Sequence, residues 1–149
     1  MTHVAIRMPS GESRSIPYGT PVSVLVNELP RPQDAGSAII AALIDNELVS
    51  LSYKLKFNAA FSPVPAGSAP GIATYKRSLC FLLTIAGRQV FPERTLVVGH
   101  ALGDGYFYTF TDRDETDAEE IKLLDERMRK LVCENLPIER GVISYIEAR

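Results

Sequence analysis

Two small α+β units in tandem are the fold class that this sequence predicts. Three observations carry the prediction. Residues 1–64 read as short strands around a single helix. Pro63–Gly71, rich in Pro, Gly, Ala and Ser, places a linker over residues 65–73. From Thr74 to Arg149, long amphipathic helical patterns enclose a strand dense in aromatic residues.

The first unit opens with Val4–Arg7 and Ser13–Pro17 on either side of Pro9-Ser10-Gly11-Glu12, a β-hairpin pattern. Thr20 is placed to cap a helix that begins at Pro21, carries Val22, Leu25, Val26 and Leu29 at helical spacing, and stops at Pro30. After the polar loop Arg31–Ser37, the apolar run Ile39–Ile44 reads as a buried strand closed by an Asp45-Asn46 turn. Leu48, Val49 and Leu51 continue it, and a last strand is expected between Lys54 and Val64.

The second unit starts with a long helix bearing Tyr75, Leu79, Leu82, Leu83, Ala86 and Val90 on one face and ending near Phe91-Pro92. Leu96–Val98 and Tyr106–Phe110 read as strands around a Gly-rich turn. Asp117 has the position of an N-cap, with Glu120 three residues on, so a capping box is expected. Ile121, Leu124, Met128, Leu131 and Val132 form the apolar stripe of the helix that follows. Val142–Ile146 reads as a closing strand.

Composition bounds the function. A hydrophobic fraction of 46% with 23% charged residues is that of a soluble globular protein. A net charge of −2 and a pI near 5.7 argue against strong nonspecific binding to nucleic acid, though not against a local basic patch. No apolar run approaches the roughly 18–20 residues of a membrane span, so no membrane partner is expected. The N-terminus has no signal-peptide pattern, and a cytoplasmic location is expected. Cys80 and Cys133 are expected to be buried thiols, not a disulfide.

No catalytic apparatus is legible. The phosphate-loop pattern G-x-x-x-x-G-K-[ST] is missing. Gly99, Gly103 and Gly105 have the wrong spacing for a nucleotide loop and lead into a strand; they read as turn glycines. Two histidines and two cysteines, all far apart, give no zinc spacing. Asp112, Asp114, Glu115 and Asp117 read as an acidic loop favouring a helix N-terminus, not as metal ligands. Lys76, Arg77, Arg88 and Arg94 read as solvated charge, with a basic strip as the alternative.

The candidate ligand-binding residues are His100, Asp104, Tyr106, Tyr108 and Arg77. His100 precedes the Gly-rich turn, where a neutral imidazole can contact a ligand or carry a proton, or bond backbone at a strand end. Tyr106 and Tyr108 share one strand face, Phe107 and Thr109 the other. An open tyrosine face would stack a base or ribose; a core face would not.

The segments Met8–Glu12, Ile16–Thr20 and Ala41–Leu51 resemble a TGS domain, a β-grasp module of threonyl-tRNA synthetases, certain GTPases and stringent-response synthetases. Pro17-Tyr18-Gly19-Thr20 carries the P-x-G-T lead into the helix; Asn46 stands where glycine is common, and tolerates the αL conformation. Gly103–Phe110 and Arg127–Arg140 resemble the threonyl-tRNA synthetase editing domain, with its G-x-G-F-Y-Y-D-F-like strand and E-N-L-P-I-E-R run. That family begins its long helix with H-x-x-x-H. Here those positions hold Arg77 and Phe81, which cannot supply the same proton-transfer chemistry.

Tyr75–Leu83, Phe91–Arg94 and Val98–Tyr108 also resemble the N-terminal region of bacterial uridine-kinase-like proteins. This resemblance implies a noncatalytic regulatory or ligand-binding module, with no cofactor of its own, ahead of a kinase domain that uses ATP and Mg²⁺ to phosphorylate a nucleoside. Its implied partners are that downstream domain and a small nucleotide or RNA ligand. It also implies a second domain truncated at its C-terminus, whose uncovered apolar face would favour a homodimer. Two alternatives stand beside it: an RNA- or tRNA-binding accessory module, and a residual hydrolase using His100 with Asp104.

Overall fold

Val4, Ile6 and Met8 are buried while His3, Ala5 and Arg7 between them are exposed, the period-two pattern of a strand with one wet face. This strand, β1 (His3–Arg7), pairs antiparallel with β2 (Ser13–Pro17) across a turn in which Gly11 takes φ +86°. The computed structural model describes residues 2–30, 33–103, 105–112, 117–136, 138 and 144–147. They form a mixture of α and β structure that divides into two units at Ser78/Leu79.

In the first unit, a two-residue strand β3 (Thr20–Pro21) leads into α1 (Val22–Asn27). Thr20 does not cap this helix. Its hydroxyl donates back to the Pro17 carbonyl at 2.7 Å, and Pro21 occupies the N-cap position without a side-chain bond. The ring fixes φ at −71° and needs no donor there. Strands β4 (Ile39–Ile44) and β5 (Glu47–Val49) meet at Asp45-Asn46, both with positive φ, the geometry of a two-residue hairpin turn. Two strands stand where one is expected: β6 (Lys54–Leu55), paired with β3, and β7 (Ala59–Pro65).

The main sheet has the order β2-β1-β7-β4-β5, with β1 and β7 parallel and the other neighbours antiparallel. Pro63 and Pro65 sit in a central strand without breaking it. β1 pairs only with Ala59 and Ala60, so beyond them one edge of β7 has no ladder to lose. Val22 and Leu25 of α1 are fully buried against Ile6, Ala42, Leu55 and Phe61.

The expected linker is largely regular structure. β7 runs to Pro65 and α2 (Ala69–Val90) starts five residues before Thr74. Ser68 makes the junction: its hydroxyl donates to the Pro65 carbonyl at 2.6 Å and accepts from the Gly71 N–H at 3.2 Å. That is a helix N-cap, and Pro70 falls in the first turn, where a missing N–H costs nothing.

In the second unit the core gathers Leu82, Leu83, Ala86, Phe91, Leu96, Tyr108, Phe110, Leu124, Met128 and Leu131. These come from the C-terminal half of α2, from the antiparallel pair β8 (Leu96–Leu102) and β9 (Gly105–Phe110), and from α3 (Ala118–Glu134). The expected helical stripes narrow accordingly: Tyr75 is 59% exposed, Ile121 48% and Val132 61%. The α3 capping box forms as expected, with the Asp117 carboxylate accepting from Glu120 N–H at 2.8 Å and the Glu120 carboxylate accepting from Asp117 N–H. Ser144–Glu147 form a turn where a closing strand is expected; Val142 and Ile143 lie outside the described residues. Cys80 and Cys133 are free thiols, but neither is buried as expected: Cys80 is half-buried and Cys133, next to the uncovered Val132 on α3, is exposed.

Candidate functional site

β8 and β9 are placed by their inward residues. Leu96 lies opposite Phe110 and Val98 opposite Tyr108, and Leu96, Tyr108 and Phe110 all pack into the core. The hairpin closes tightly, with Leu102 paired to Gly105 and Gly103 at φ +57°. Between Val98 and Ala101 the register slips, so Gly99 and His100 together face the stretch around Phe107. This is a β-bulge, which re-aims the side chain it carries. A Cβ at residue 99 would meet the Phe107 carbonyl oxygen at 3.4 Å, an ordinary contact, so space does not require glycine in the bulge.

The bulge sets His100 on Phe107. Their ring centroids are 5.8 Å apart with planes 22° from parallel, and both residues are exposed. Among the described residues no hydrogen bond to the imidazole is found, and its neighbour is the Phe107 ring. Asp104, its suggested partner, lies outside the described residues. The tyrosines lie on the other strand face. Tyr108 is half-buried against the core in line with Phe110, while Tyr106, toward the turn, stays exposed. An open two-tyrosine stacking face is therefore not what the hairpin presents.

Arg94 does not belong to a basic strip. Its Nε lies 2.9 Å from Asp112 and its Nη1 2.5 Å from Glu120. Its guanidinium carbon is 3.9 Å from the centroid of Phe110 and 5.3 Å from that of Phe91, and those two rings meet edge to face. Burial alone would lower the Arg94 pKa; hydrogen bonds and charge from Asp112 and Glu120 outweigh it and raise it. Arg94 thus ties the segment after α2 to the end of β9 and the first turn of α3. The acidic loop is absorbed the same way: Asp112 holds Arg94, Asp117 caps α3, and Asp114 and Glu115 lie outside the described residues. Among the described residues no group of three His, Cys, Asp or Glu is placed to hold a metal ion.

Burial first, and the Glu120 charge second, raise the Tyr108 pKa above its ordinary value. The folded chain therefore binds this proton more tightly than the unfolded chain. The resulting stability is complete below about pH 10 and is lost as pH rises through the folded value. Thermal melts followed by circular dichroism are expected to show falling stability above about pH 10, with the fall reduced in Tyr108→Phe.

Arg77 and Phe81, the positions of the missing histidine pair, lie one turn apart on α2 and are both exposed. No helix among the described residues is long and apolar enough to cross a membrane. In the part of the first unit that precedes α2, Tyr18 and Phe57 are also exposed; Phe57 directly follows Lys56, a basic-aromatic pair visible in the sequence, whereas nothing beside Tyr18 in the chain marks it.

No protein-family model matches the chain. It is similar over nearly its whole length to threonine–tRNA ligases. That of Pelobacter propionicus is 28% identical over 148 residues, 99% of this chain and 23% of that protein. That of Carboxydothermus hydrogenoformans is 29% identical over 145 residues, 97% of this chain and 23% of that protein. That of Corynebacterium glutamicum is 30% identical over 134 residues, 89% and 19% of the two. The chain thus spans less than a quarter of the length of these relatives.

Proposed function

We propose that this chain is a noncatalytic, RNA-binding accessory module related to the threonyl-tRNA synthetases. One observation carries the reading: similarity to threonine–tRNA ligases extends over both units, while Arg77 and Phe81 stand where the editing resemblance expects two histidines. The first unit is read as the β-grasp, TGS-like part, supported by its mixed five-stranded sheet and the buried face of α1. The second is read as the editing-like part, kept as a scaffold. Arg77 and Phe81, one turn apart and exposed on α2, offer no pair of imidazoles for proton transfer, which supports the loss of hydrolysis.

A nucleoside-kinase parent is the narrower reading and rests on the sequence resemblance alone, since the relatives compared are synthetases. In that setting ATP and Mg²⁺ act in a separate phosphate-loop domain and this chain serves it as a regulatory or RNA-reading arm.

Binding to tRNA, followed by fluorescence anisotropy, tests the RNA reading. Affinity is expected to fall at least about tenfold between about 50 and about 200 mM salt, the release expected from two or more phosphate contacts. No binding in low salt overturns it.

A further inference from the structure

Charge is unevenly shared between the units. Met1–Ser78 holds seven Lys and Arg against five Asp and Glu; Leu79–Arg149 holds nine against thirteen. The first unit's carboxylates are also mostly engaged. Glu12 and Glu28 pair with Arg14, Asp34 accepts from Ser37, and Asp45 accepts from the Ala60 N–H. Lys54 and Lys56 have no ion-pair partner among the described residues. Both are exposed, Lys54 within β6 and Lys56 just after it, on either side of the buried Leu55.

Two exposed aromatics join them. Phe57 follows Lys56 and is 50% exposed; Tyr18 is 53% exposed. Hydrogen bonds bring the segments together: Gly19 N–H donates to the Leu55 carbonyl at 2.7 Å, Tyr18 N–H to the Thr2 carbonyl at 2.9 Å, and Ala5 N–H to the Asn58 side-chain oxygen at 2.8 Å. Between Tyr18 and the lysine strand, Gly19 takes φ +84° and a Cβ there would meet nothing within 4 Å, so the backbone lies open.

We infer that Tyr18, Lys54, Lys56 and Phe57 form the RNA-contacting surface, and that its ligand is a single-stranded segment. The inference rests on the RNA-binding reading above and gives it a place. The lysines match phosphates, and the two flat, half-exposed rings offer stacking to unpaired bases, whose faces a duplex keeps covered. The acidic second unit is disfavoured as the contact, because it would repel the same backbone.

The test uses the full chain with a fluorescein-labelled single-stranded RNA oligonucleotide, a duplex of the same length, and tRNA. The single strand is expected to bind tighter than the duplex. Lys54→Ala/Lys56→Ala is expected to weaken binding and reduce the slope of log affinity against log salt by about 1.4, for two contacts to a single strand. Tyr18→Ala and Phe57→Ala are each expected to weaken binding on the order of tenfold with the slope unchanged. All four substitutions are at exposed positions, and circular dichroism melts check that the fold is kept. If the variants bind RNA like the unaltered chain, or if the duplex binds tighter, the patch assignment fails while the RNA reading stands. If the unaltered chain binds none of the three RNAs, both fail.

Discussion

Phe110→Ala is expected to cost about 3–5 kcal/mol, the range for emptying a fully buried aromatic site. Phe110 is 1% exposed at the inner end of β9, meets Phe91 edge to face, and carries the Arg94 guanidinium on its ring. Its loss leaves a cavity among Leu124, Leu131 and Ala86 and takes the aromatic face from a largely buried cation. At roughly 4–8 °C per kcal/mol for a unit of this size, the melting temperature drops by more than about 12 °C. Amide exchange in α3 should accelerate together with it. Phe107→Ala, on the opposite face of the same strand and 45% exposed, is expected to stay within about 0.5 kcal/mol of the unaltered chain. Equal losses at the two positions would reverse the assignment of hairpin faces.

Gly71→Ala is the second large effect. A Cβ at Gly71 would lie 2.0 Å from the Pro65 carbonyl oxygen and 2.9 Å from that of Ala66. Both are backbone atoms of the β7–α2 junction, which cannot rotate aside as a side chain would. Although alanine is the better helix former, relief requires moving the first turn of α2, at the upper end of about 1–3 kcal/mol for overpacking. The Ser68 cap goes with it, since its hydroxyl bridges Pro65 and Gly71. Urea unfolding should show a lower midpoint for Gly71→Ala than for Ser68→Ala, whose lost cap costs about 1 kcal/mol. The reverse order would mean that the junction gives way easily.

These two sites also mark what the sequence reveals. The hairpins, the turn at Asp45-Asn46 and the Asp117–Glu120 capping box are legible because each depends on residues close in the chain. The start of α2 is not. Ser68-Ala69-Pro70-Gly71 carries a cap and a first-turn proline, yet its composition is also that of a flexible linker, and only the packing of Gly71 on Pro65 separates the two. Likewise, alternation pairs Tyr106 with Tyr108 but cannot say which face is inside. Leu96 and Phe110 decide that, and the bulge at Gly99-His100 then turns the histidine onto Phe107. The surface proposed at Tyr18 and Lys54–Phe57 draws on segments far apart in the chain, which meet through the Gly19–Leu55 hydrogen bond that no local pattern shows.

The central claim is that an editing-like scaffold persists without its chemistry. Its most direct test is the hydrolysis of a mischarged aminoacyl-tRNA by the purified chain at a concentration that saturates tRNA binding. The expected result is deacylation at the spontaneous rate, unchanged by His100→Ala. Deacylation above that rate, abolished by His100→Ala, would contradict the claim.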